Sequence, residues 1–359
     1  MSFPMTQCIR FLILGVLLFV GSQHGSAQEP EKVYDFSPKP VAGEAWHRDF
    51  QAKHLLGLDA LVRQEGDQPP QRVQIRTRLS SDNRFRFVDR FVEVDAGRVQ
   101  VFKREILDSQ VQANQDHLEE GAPPNEVTLK GGIEALRLVY TWVESEQEYG
   151  RYYEGPEPRE SWLSSLPADL PSCLGLLPPG PVALNQTWSI DPLLLRGVLA
   201  PGGAPQYQTR KGMDRVLTRT LQMGVAGSLY HAIRGRVSGT VTARLEAVRG
   251  DVAQVEVTVE DVRFLADISD FSSRNRLKRE SEVGIDKTTG KQLVELTGTG
   301  TLFWDLGAGR MNSFRFGGRE GVRTEIQVTG MGGTYKETVQ LSGRLETFIS
   351  NTPAKDSQK

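Results

Sequence analysis

The sequence predicts a mainly β protein, with antiparallel sheets in two halves of the sandwich or half-barrel type. Apolar and polar residues alternate with a period of two through most of the chain, for example at Val255, Val257 and Val259. This alternation places one set of side chains in a core and the other in solvent. Glycine-containing turns separate the alternating runs at short intervals, without the long helical segments that parallel βαβ units need.

Residues 1–27 have the layout of a secretory signal peptide. Arg10 provides the positive flank within an otherwise apolar run over 9–20, and the small residues 25–27 form a cleavage site. The apolar run is shorter than the ~20 residues that span a bilayer. We therefore expect an exported protein, periplasmic or extracellular, whose mature chain has no transmembrane segment. The polar residues 28–40 are predicted to form a flexible leader.

Cleavage is expected after Ala27, because the small residues before it fit the signal-peptidase pattern. N-terminal sequencing of the secreted protein should then begin at Gln28. A mature protein that keeps Met1 would contradict the export prediction.

The N-terminal β region is predicted over 41–155. Val73, Ile75, Thr77 and Leu79 alternate with polar residues, as expected of a strand with one wet face. Residues 49–62 fit either a helix or a strand. A stripe of arginines over 72–90 is interleaved with acidic residues, so we interpret it as cross-strand ion pairs on a solvated face.

Residues 156–205 are rich in proline, which interrupts helices and central strands, and are predicted to form a connector. This segment holds Cys173, the one cysteine that remains after signal cleavage. Its apolar neighbours predict that it is buried. Asn185 opens an Asn-Gln-Thr glycosylation pattern, whose use depends on the source.

The C-terminal β region is predicted over 206–349, with a disordered tail over 350–359. Hairpins are expected at the turns over 249–251, 307–309 and 330–333. The segment 284–291 is a near miss for a phosphate-binding loop, because its glycine spacing is too long and Gln292 stands where Ser or Thr would bind magnesium. We interpret 286–290 as another hairpin turn.

Charge and motifs exclude several function classes. The formal net charge of −2 lacks the basic excess of nucleic-acid-binding proteins. His47 and His54 are too far apart in sequence for the usual zinc-ligand spacing, and no nucleophile elbow occurs. The acids Asp261, Asp267 and Asp270 lack calcium-loop spacing. The sequence therefore predicts no catalytic residue, no cofactor and no metal.

Two segments carry a resemblance to secreted bacterial all-β proteins of uncharacterised function. One is the proline-rich approach over 177–182 followed by 185–188, which ends in Trp188; the other is the hairpin from Gly298 to Asp305 with Gly309 and Arg310. The resemblance implies structural roles for both segments. The first would supply a tryptophan that fills space at the edge of the core, and the second would form a turn. A looser likeness to periplasmic lipoprotein carriers of the half-barrel type is an analogy that rests on the exported β pattern.

We therefore expect a non-enzymatic envelope protein with a binding or structural role, whose partner is a hydrophobic small molecule or an envelope protein. A carrier needs an apolar cavity, and the side chains expected to line it are Phe85, Phe87, Trp142 and Trp304. A scaffold would fill the same space. The alternative is a secreted or periplasmic hydrolase whose site is assembled from scattered residues.

Overall fold

The computed structural model describes residues 32–74, 77–117, 125–130, 136–146, 148–154, 173–199, 235–269, 285–330 and 333–354. The predicted signal peptide, residues 28–31 of the expected leader, and the connector parts 156–172 and 200–205 lie outside the described residues. Contacts divide the chain into units Met1–Lys32 and Val33–Lys359, and the fold given below is that of the second unit.

Antiparallel strands dominate this unit, which confirms the predicted mainly β class. The strands are β1 (Val33–Tyr34), β2 (Ala45–Glu65), β3 (Gln71–Val73), β4 (Thr77–Asp95), β5 (Arg98–His117), β6 (Asn125–Lys130), β7 (Arg137–Val143), β8 (Glu148–Tyr153), β9 (Val182–Ala183), β10 (Thr187–Ile190), β11 (Arg236–Arg249), β12 (Val252–Asp267), β13 (Ile285–Asp305), β14 (Arg310–Gly330) and β15 (Gly333–Pro353). Two 3-10 turns, Leu174–Leu176 and Pro192–Leu195, and the four-residue helix α1 (Arg196–Leu199) complete the described elements. None of the helices in the described ranges is long and apolar enough to cross a membrane.

Thirteen strands form one sheet in the order β10-β11-β12-β13-β14-β15-β2-β4-β5-β7-β8, with β3 paired to β2 and β6 to β5. The last strand, β15, pairs with β2 from Pro353↔Trp46 to Tyr335↔Glu65. The N-terminal and C-terminal β regions are therefore parts of the same sheet. β1 and β9 form a separate two-stranded sheet.

Alternating side chains give the large sheet one buried face, which we call the inner face, and one solvated outer face. Along β12, Val255, Val257 and Val259 are buried, whereas Glu256 and Thr258 between them are more exposed. The same alternation continues through β13, β14, β15, β2, β4 and β5. The inner face therefore carries a single hydrophobic core that extends across the sheet.

Contacts at one end show that the sheet curls around its inner face. Seven strand spacings separate β10 from β4, which corresponds to about 34 Å in a flat sheet. The short stretch from Phe36 to Pro38 nevertheless reaches both. The ring of Phe36 lies 6.3 Å from that of Trp188 in β10, and the Pro38 carbonyl oxygen lies 3.8 Å from the position of a Cβ on Gly97, in the β4–β5 turn. We call this end, bridged by residues 36–39, the closed end.

Lys39 extends the bridge to the β13–β14 hairpin. Its backbone N–H donates to the carbonyl oxygen of Gly309 at 3.1 Å, and its Nζ donates to that of Leu306 at 2.9 Å. Gly309 has a positive φ of 60°, and an added Cβ would lie 2.5 Å from the Lys39 nitrogen. Glycine is needed here both for the turn and for the close approach of residues 37–39.

The structure resolves one ambiguity and corrects three boundaries. Residues 49–62 are strand, because β2 pairs there with β15 and with β4. The turn expected at 286–290 is wrong, since these residues pair with β14 inside β13. The tail expected from Ser350 begins later, because 350–353 pair with β2. The expected leader is described from Lys32 onward, and this part forms β1 and the contacts of residues 36–39.

Three predicted hairpins are confirmed. β11 and β12 meet at Gly250 and Asp251, β13 and β14 at 306–309, and β14 and β15 at Gly330↔Gly333. Cys173 is buried as expected, and the described part of the connector packs through Leu176 and Leu195.

Candidate functional site

Three charged side chains meet on the inner face, on adjacent strands near the closed end. Arg48 in β2, Asp89 in β4 and Arg104 in β5 are 5%, 0% and 3% exposed. Arg104 makes a two-pronged contact with Asp89, Nε to Oδ1 at 2.7 Å and Nη2 to Oδ2 at 3.0 Å. Arg48 Nε lies 2.9 Å from Oδ2 of the same carboxylate. We call these three residues the Asp89 cluster.

Strand register brings the cluster together. Asp89 lies directly opposite Arg104 on β5 and opposite Trp46 on β2, two residues from Arg48. Directly opposite and diagonal side chains on one face of antiparallel strands are within contact range. On the other side of β2, Arg48 lies opposite Asn351 of β15 and donates from Nη1 to its Oδ1 at 3.3 Å.

Aromatic rings surround the Arg104 guanidinium. Its central carbon lies 4.2 Å from the ring centroid of Phe87, 5.2 Å from that of Tyr140 and 5.4 Å from that of Phe102. Phe102 and Tyr140 are themselves stacked, with centroids 4.6 Å apart. Planar guanidinium groups pack well against aromatic faces, so the rings hold Arg104 in an apolar setting while Asp89 neutralises its charge.

Burial affects the two arginines differently. For Arg48, burial lowers the pKa of the guanidinium, and the attraction of Asp89 does not fully offset this effect. For Arg104, burial also acts to lower the pKa, but the charge and hydrogen bonds of Asp89 outweigh it and the pKa is raised. The Asp89 carboxylate thus offsets the burial of Arg104 more fully than that of Arg48.

The neighbouring titratable groups are neutral at ordinary pH. Burial raises the pKa of the Cys173 thiol to about 12, although nearby Arg48 opposes the shift. Burial also raises the pKa of the Tyr140 hydroxyl above its usual value. The two guanidinium groups of the Asp89 cluster thus share one carboxylate beside a neutral thiol and a neutral hydroxyl.

A second buried charged pair lies farther along the inner face. His54 Nδ1 in β2 is 2.7 Å from Oε2 of Glu320 in β14, and both side chains are at most 5% exposed. Burial alone lowers the pKa of the His54 imidazole, but the charge of Glu320 and its hydrogen bond to the ring outweigh burial and raise it. The pair therefore favours the protonated form of the His54 imidazole.

A glycine on the intervening strand makes the pair possible. β15 lies between β14 and β2, and the residue opposite Glu320 on it is Gly343. Gly343 has no side chain to block Glu320 from reaching β2. An added Cβ at this position would collide with the carbonyl oxygen of Leu55, so β15 also needs glycine in order to approach β2 here.

The four side chains expected to line a cavity lie on the inner-face side of their strands. Phe85 and Phe87 are buried on β4 with ring centroids 5.1 Å apart, and Trp304 is 1% exposed on β13. Trp142 is only half-buried near the β8 edge, where its ring contacts Tyr149. Phe87 contacts Arg104 of the Asp89 cluster, Trp304 lies in the same hydrophobic core four strands away in the sheet, and Trp142 lies near the sheet edge.

The histidines do not form a pair. An odd separation along a strand points His47 and His54 to opposite faces, and β2 places His54 inward. Within the described ranges no group of three His, Cys, Asp or Glu side chains is arranged to hold a metal ion. His231 and Asp270 lie outside the described residues.

Sequence reasoning missed the Asp89 cluster, although a signal was present. Asp89 follows Phe87 and precedes Phe91 at period-two spacing, and Arg104 stands in the same way between Phe102 and Ile106. A charge inside an apolar register predicts burial, which requires a partner. Arg86 on β4 forms a cross-strand ion pair of the expected kind, with Asp108 on β5 at 3.4 Å, whereas Arg84 pairs with Asp82 of its own strand at 3.0 Å.

Comparison with known proteins adds little to this picture. No protein-family model matches the chain, and none of the curated proteins matches it. Among solved structures, the chain is similar to one of lipovitellin, whose subject is lipid–protein interactions. The TM-score is 0.30 and the sequence identity 10%, and the match covers 89% of this chain. The chain spans only 26% of the lipovitellin chain. The outer membrane protein OprG from Pseudomonas aeruginosa has a TM-score of 0.19 and 9% identity, over 89% of this chain and 99% of its own. Similarity this low carries no argument about function. Of the expected resemblance, only the mainly β architecture is confirmed.

Proposed function

We propose that the protein is a non-enzymatic, exported binding protein that holds an apolar molecule inside the curl of its sheet. The observation that supports this most strongly is the inner face itself, which is apolar along the strands and across the sheet and bends around at the closed end. Concave apolar surfaces with a few convergent polar groups are the usual form of small-molecule sites. Phe85, Phe87 and Trp304 belong to this surface.

Extraction of the purified protein provides the direct test. The full-length protein, isolated from cells that produce it naturally, is extracted with organic solvent and the extract analysed by mass spectrometry. We expect one apolar compound at a stoichiometric amount. A protein that is stable, folded and free of any such compound, and that binds no neutral apolar dye, would contradict the proposal.

Ala52→Phe distinguishes a ligand cavity from a filled core. Ala52 is buried on the inner face of β2, opposite Thr347 and Asn83. A large side chain there would occupy space meant for a ligand, so we expect little change in stability but weaker binding of a neutral dye such as Nile red. If the face is instead close-packed, the same change should cost about 1–3 kcal/mol of unfolding free energy in a urea titration.

The matched control for this experiment is Lys53→Phe, on the outer face of the same strand. It adds the same ring where no cavity is expected, so it should leave dye binding unchanged. A scaffold would show the opposite pattern, with Ala52→Phe destabilised and dye binding absent in both variants and in the wild type.

One arrangement favours the hydrolase alternative. Ser81 in β4 lies directly opposite His54, whose Nδ1 contacts Glu320, so the serine, histidine and carboxylate stand in the order used for nucleophilic catalysis. All three are buried, which argues for a structural role. A fluorophosphonate probe should leave Ser81 unlabelled under our proposal; stoichiometric labelling, lost in Ser81→Ala, would favour the hydrolase.

A further inference from the structure

We propose that the outer face of the sheet binds a linear anionic polysaccharide along β14, where outward-facing arginines alternate with glycines. The outward positions of this strand from 315 to 323 are, in order, Arg315, Gly317, Arg319, Gly321 and Arg323. We call these five residues the arginine row. The row lies on the opposite face from the proposed apolar site, so this inference goes beyond that function and does not depend on it.

Two like charges face each other at the centre of the row. Arg319 lies directly opposite Arg344 of β15, and both side chains are exposed. Neither forms an ion pair with any residue in the described ranges, although Glu346 lies two residues from Arg344, opposite Lys53 of β2. Like charges directly opposite each other destabilise an antiparallel pair. An anion bound between the two guanidinium groups would replace this repulsion with attraction.

The neighbouring carboxylates do not balance the row. The outward residues 315–325 of β14 and those opposite them on β15 carry four positive and two negative charges, an excess of two positive charges. One of the acids, Glu325, is held by Arg323 at 2.6 Å. On β13, Glu295 pairs with Arg263 of β12 at 2.9 Å. The surface therefore has a local excess of positive charge on a chain whose formal net charge is −2.

Gly317 has no explanation in the packing of the strands. It lies in the interior of β14, its φ is not in the left-handed region, and an added Cβ would meet no atom of the described residues within 4 Å. Glycine weakens the interior of a strand, and it often marks a place where a ligand approaches the backbone closely. Gly317 thus leaves open space beside Arg319.

The spacing of the charges and the groups between them suit a polysaccharide. Successive arginines of the row are four residues apart, about 14 Å along the strand. The residues opposite the first three positions of the row are Thr301, Thr299 and Thr297 of β13. Their hydroxyl groups can hydrogen-bond to the neutral, hydroxyl-bearing units of a polymer whose charges are spaced along the chain. They offer little of the apolar area on which binding to a membrane surface depends.

Titration calorimetry on the purified full-length protein tests the proposal, with polygalacturonate and dextran sulfate as probes and neutral dextran as the control. We expect the anionic polymers to bind and dextran not to bind. Monomeric galacturonate should bind far more weakly than its polymer, because linked groups contact several arginines at once. Added NaCl should weaken binding of the polymers, since exposed charges are screened by salt.

The double variant Arg319→Gln/Arg344→Gln removes the opposed charges and should bind the polymers at least about tenfold more weakly, a change of about 1.4 kcal/mol. Its matched control is Arg86→Gln/Arg244→Gln, which removes two exposed charges from ion pairs elsewhere on the outer face. The control has the same net charge as the double variant and should keep the affinity of the wild type.

Gly317→Thr tests the open space beside Arg319. The variant should unfold at the same or a higher urea concentration than the wild type, because the Cβ has room and threonine suits strands. It should nevertheless bind the polymers more weakly, because the side chain occupies the space meant for the ligand. The matched control is Gly57→Thr on the outer face of β2, where the nearest atom to an added Cβ is 3.8 Å away; its affinity should not change.

Several results would overturn the proposal. These are a folded wild type that binds neither anionic polymer, equal binding by Arg319→Gln/Arg344→Gln and the wild type, or an equal loss in the control with the same net charge. Tighter binding of phosphatidylglycerol vesicles or of polyglutamate than of either polysaccharide would assign the row to a membrane or to an acidic peptide instead. If Arg319→Gln/Arg344→Gln fails to fold, the comparison of Gly317→Thr with Gly57→Thr decides.

Discussion

Asp89→Asn is expected to destabilise the protein by about 3–5 kcal/mol, the usual cost of removing one partner from a buried ion pair. The asparagine side chain has the shape of aspartate, so packing changes little. Its loss of charge removes the carboxylate that Arg48 and Arg104 share, at a position that is fully buried. Unfolding in urea, followed by tryptophan fluorescence, measures the change in free energy.

A matched variant distinguishes the loss of a buried charge from the loss of an exposed one. Asp108→Asn removes the same charge from an outer pair, in which Asp108 Oδ2 lies 3.4 Å from Nη2 of a half-exposed Arg86. Exposed pairs contribute about 0–1 kcal/mol, so this control should unfold almost like the wild type. Similar losses in both variants would show that Asp89 has no special role.

Adding Arg48→Met to Asp89→Asn should recover part of the lost stability. In the double variant one guanidinium has lost the Asp89 carboxylate, whereas in Asp89→Asn alone two have lost it. The effects of substitutions within one ion-pair network on the free energy of unfolding are not additive. The double-mutant cycle measures the coupling between the two residues. A double variant less stable than Asp89→Asn alone would contradict the charge argument.

The sheet could be predicted from sequence wherever apolar residues alternate without interruption. β12 is such a case, since Val255, Val257 and Val259 all point inward, and its hairpin with β11 forms as expected. Residues 49–62 of β2 are ambiguous in the sequence because Leu55, Leu58 and Val62 recur at a helical spacing. Long-range pairing of β2 with β15 decides its conformation, and no local pattern predicts that pairing.

The turn predicted at 286–290 is wrong for a related reason, which concerns Gly290. Gly290 was interpreted as a turn residue, yet it lies in β13 opposite Ile326. A Cβ there would lie 2.8 Å from Cγ1 of Ile268, so the glycine makes room for a neighbouring strand end. Sequence alone does not distinguish a glycine that permits a turn from one that permits close packing.

The sequence predicts only part of the candidate site. Phe85, Phe87 and Trp304 were predictable as inward apolar side chains. The Asp89 cluster unites strands β2, β4 and β5, and the His54–Glu320 pair spans β2 and β14, with its members 266 positions apart in the sequence. Charged residues in an apolar register indicate that partners exist, but the order of the strands determines which charges meet.

His54→Leu is expected to cost about 3–5 kcal/mol below about pH 6.5, where His54 is protonated in the folded protein, because it leaves the Glu320 carboxylate buried without its cation. The double variant His54→Leu/Glu320→Leu removes both charges and should recover most of this loss, since apolar replacements of a buried pair are often neutral. Urea unfolding of the wild type and the two variants measures these differences. A single variant as stable as the double variant would show that the pair contributes no coupling.

The same pair should make stability depend on pH with a defined sign. The folded-state pKa of His54 lies above its ordinary value of about 6.5, so the folded protein binds this proton more tightly than the unfolded chain does. The stability contributed by the pair is therefore fully present below about pH 6.5 and is lost as the pH rises through the folded-state pKa. The groups opposite His54 on β15 and β4, Leu345 and Ser81, do not titrate in this range, so Glu320 sets the shift. The stability advantage of the wild type over the double variant should shrink with rising pH, and a constant or growing advantage would show that His54 is not protonated in the pair.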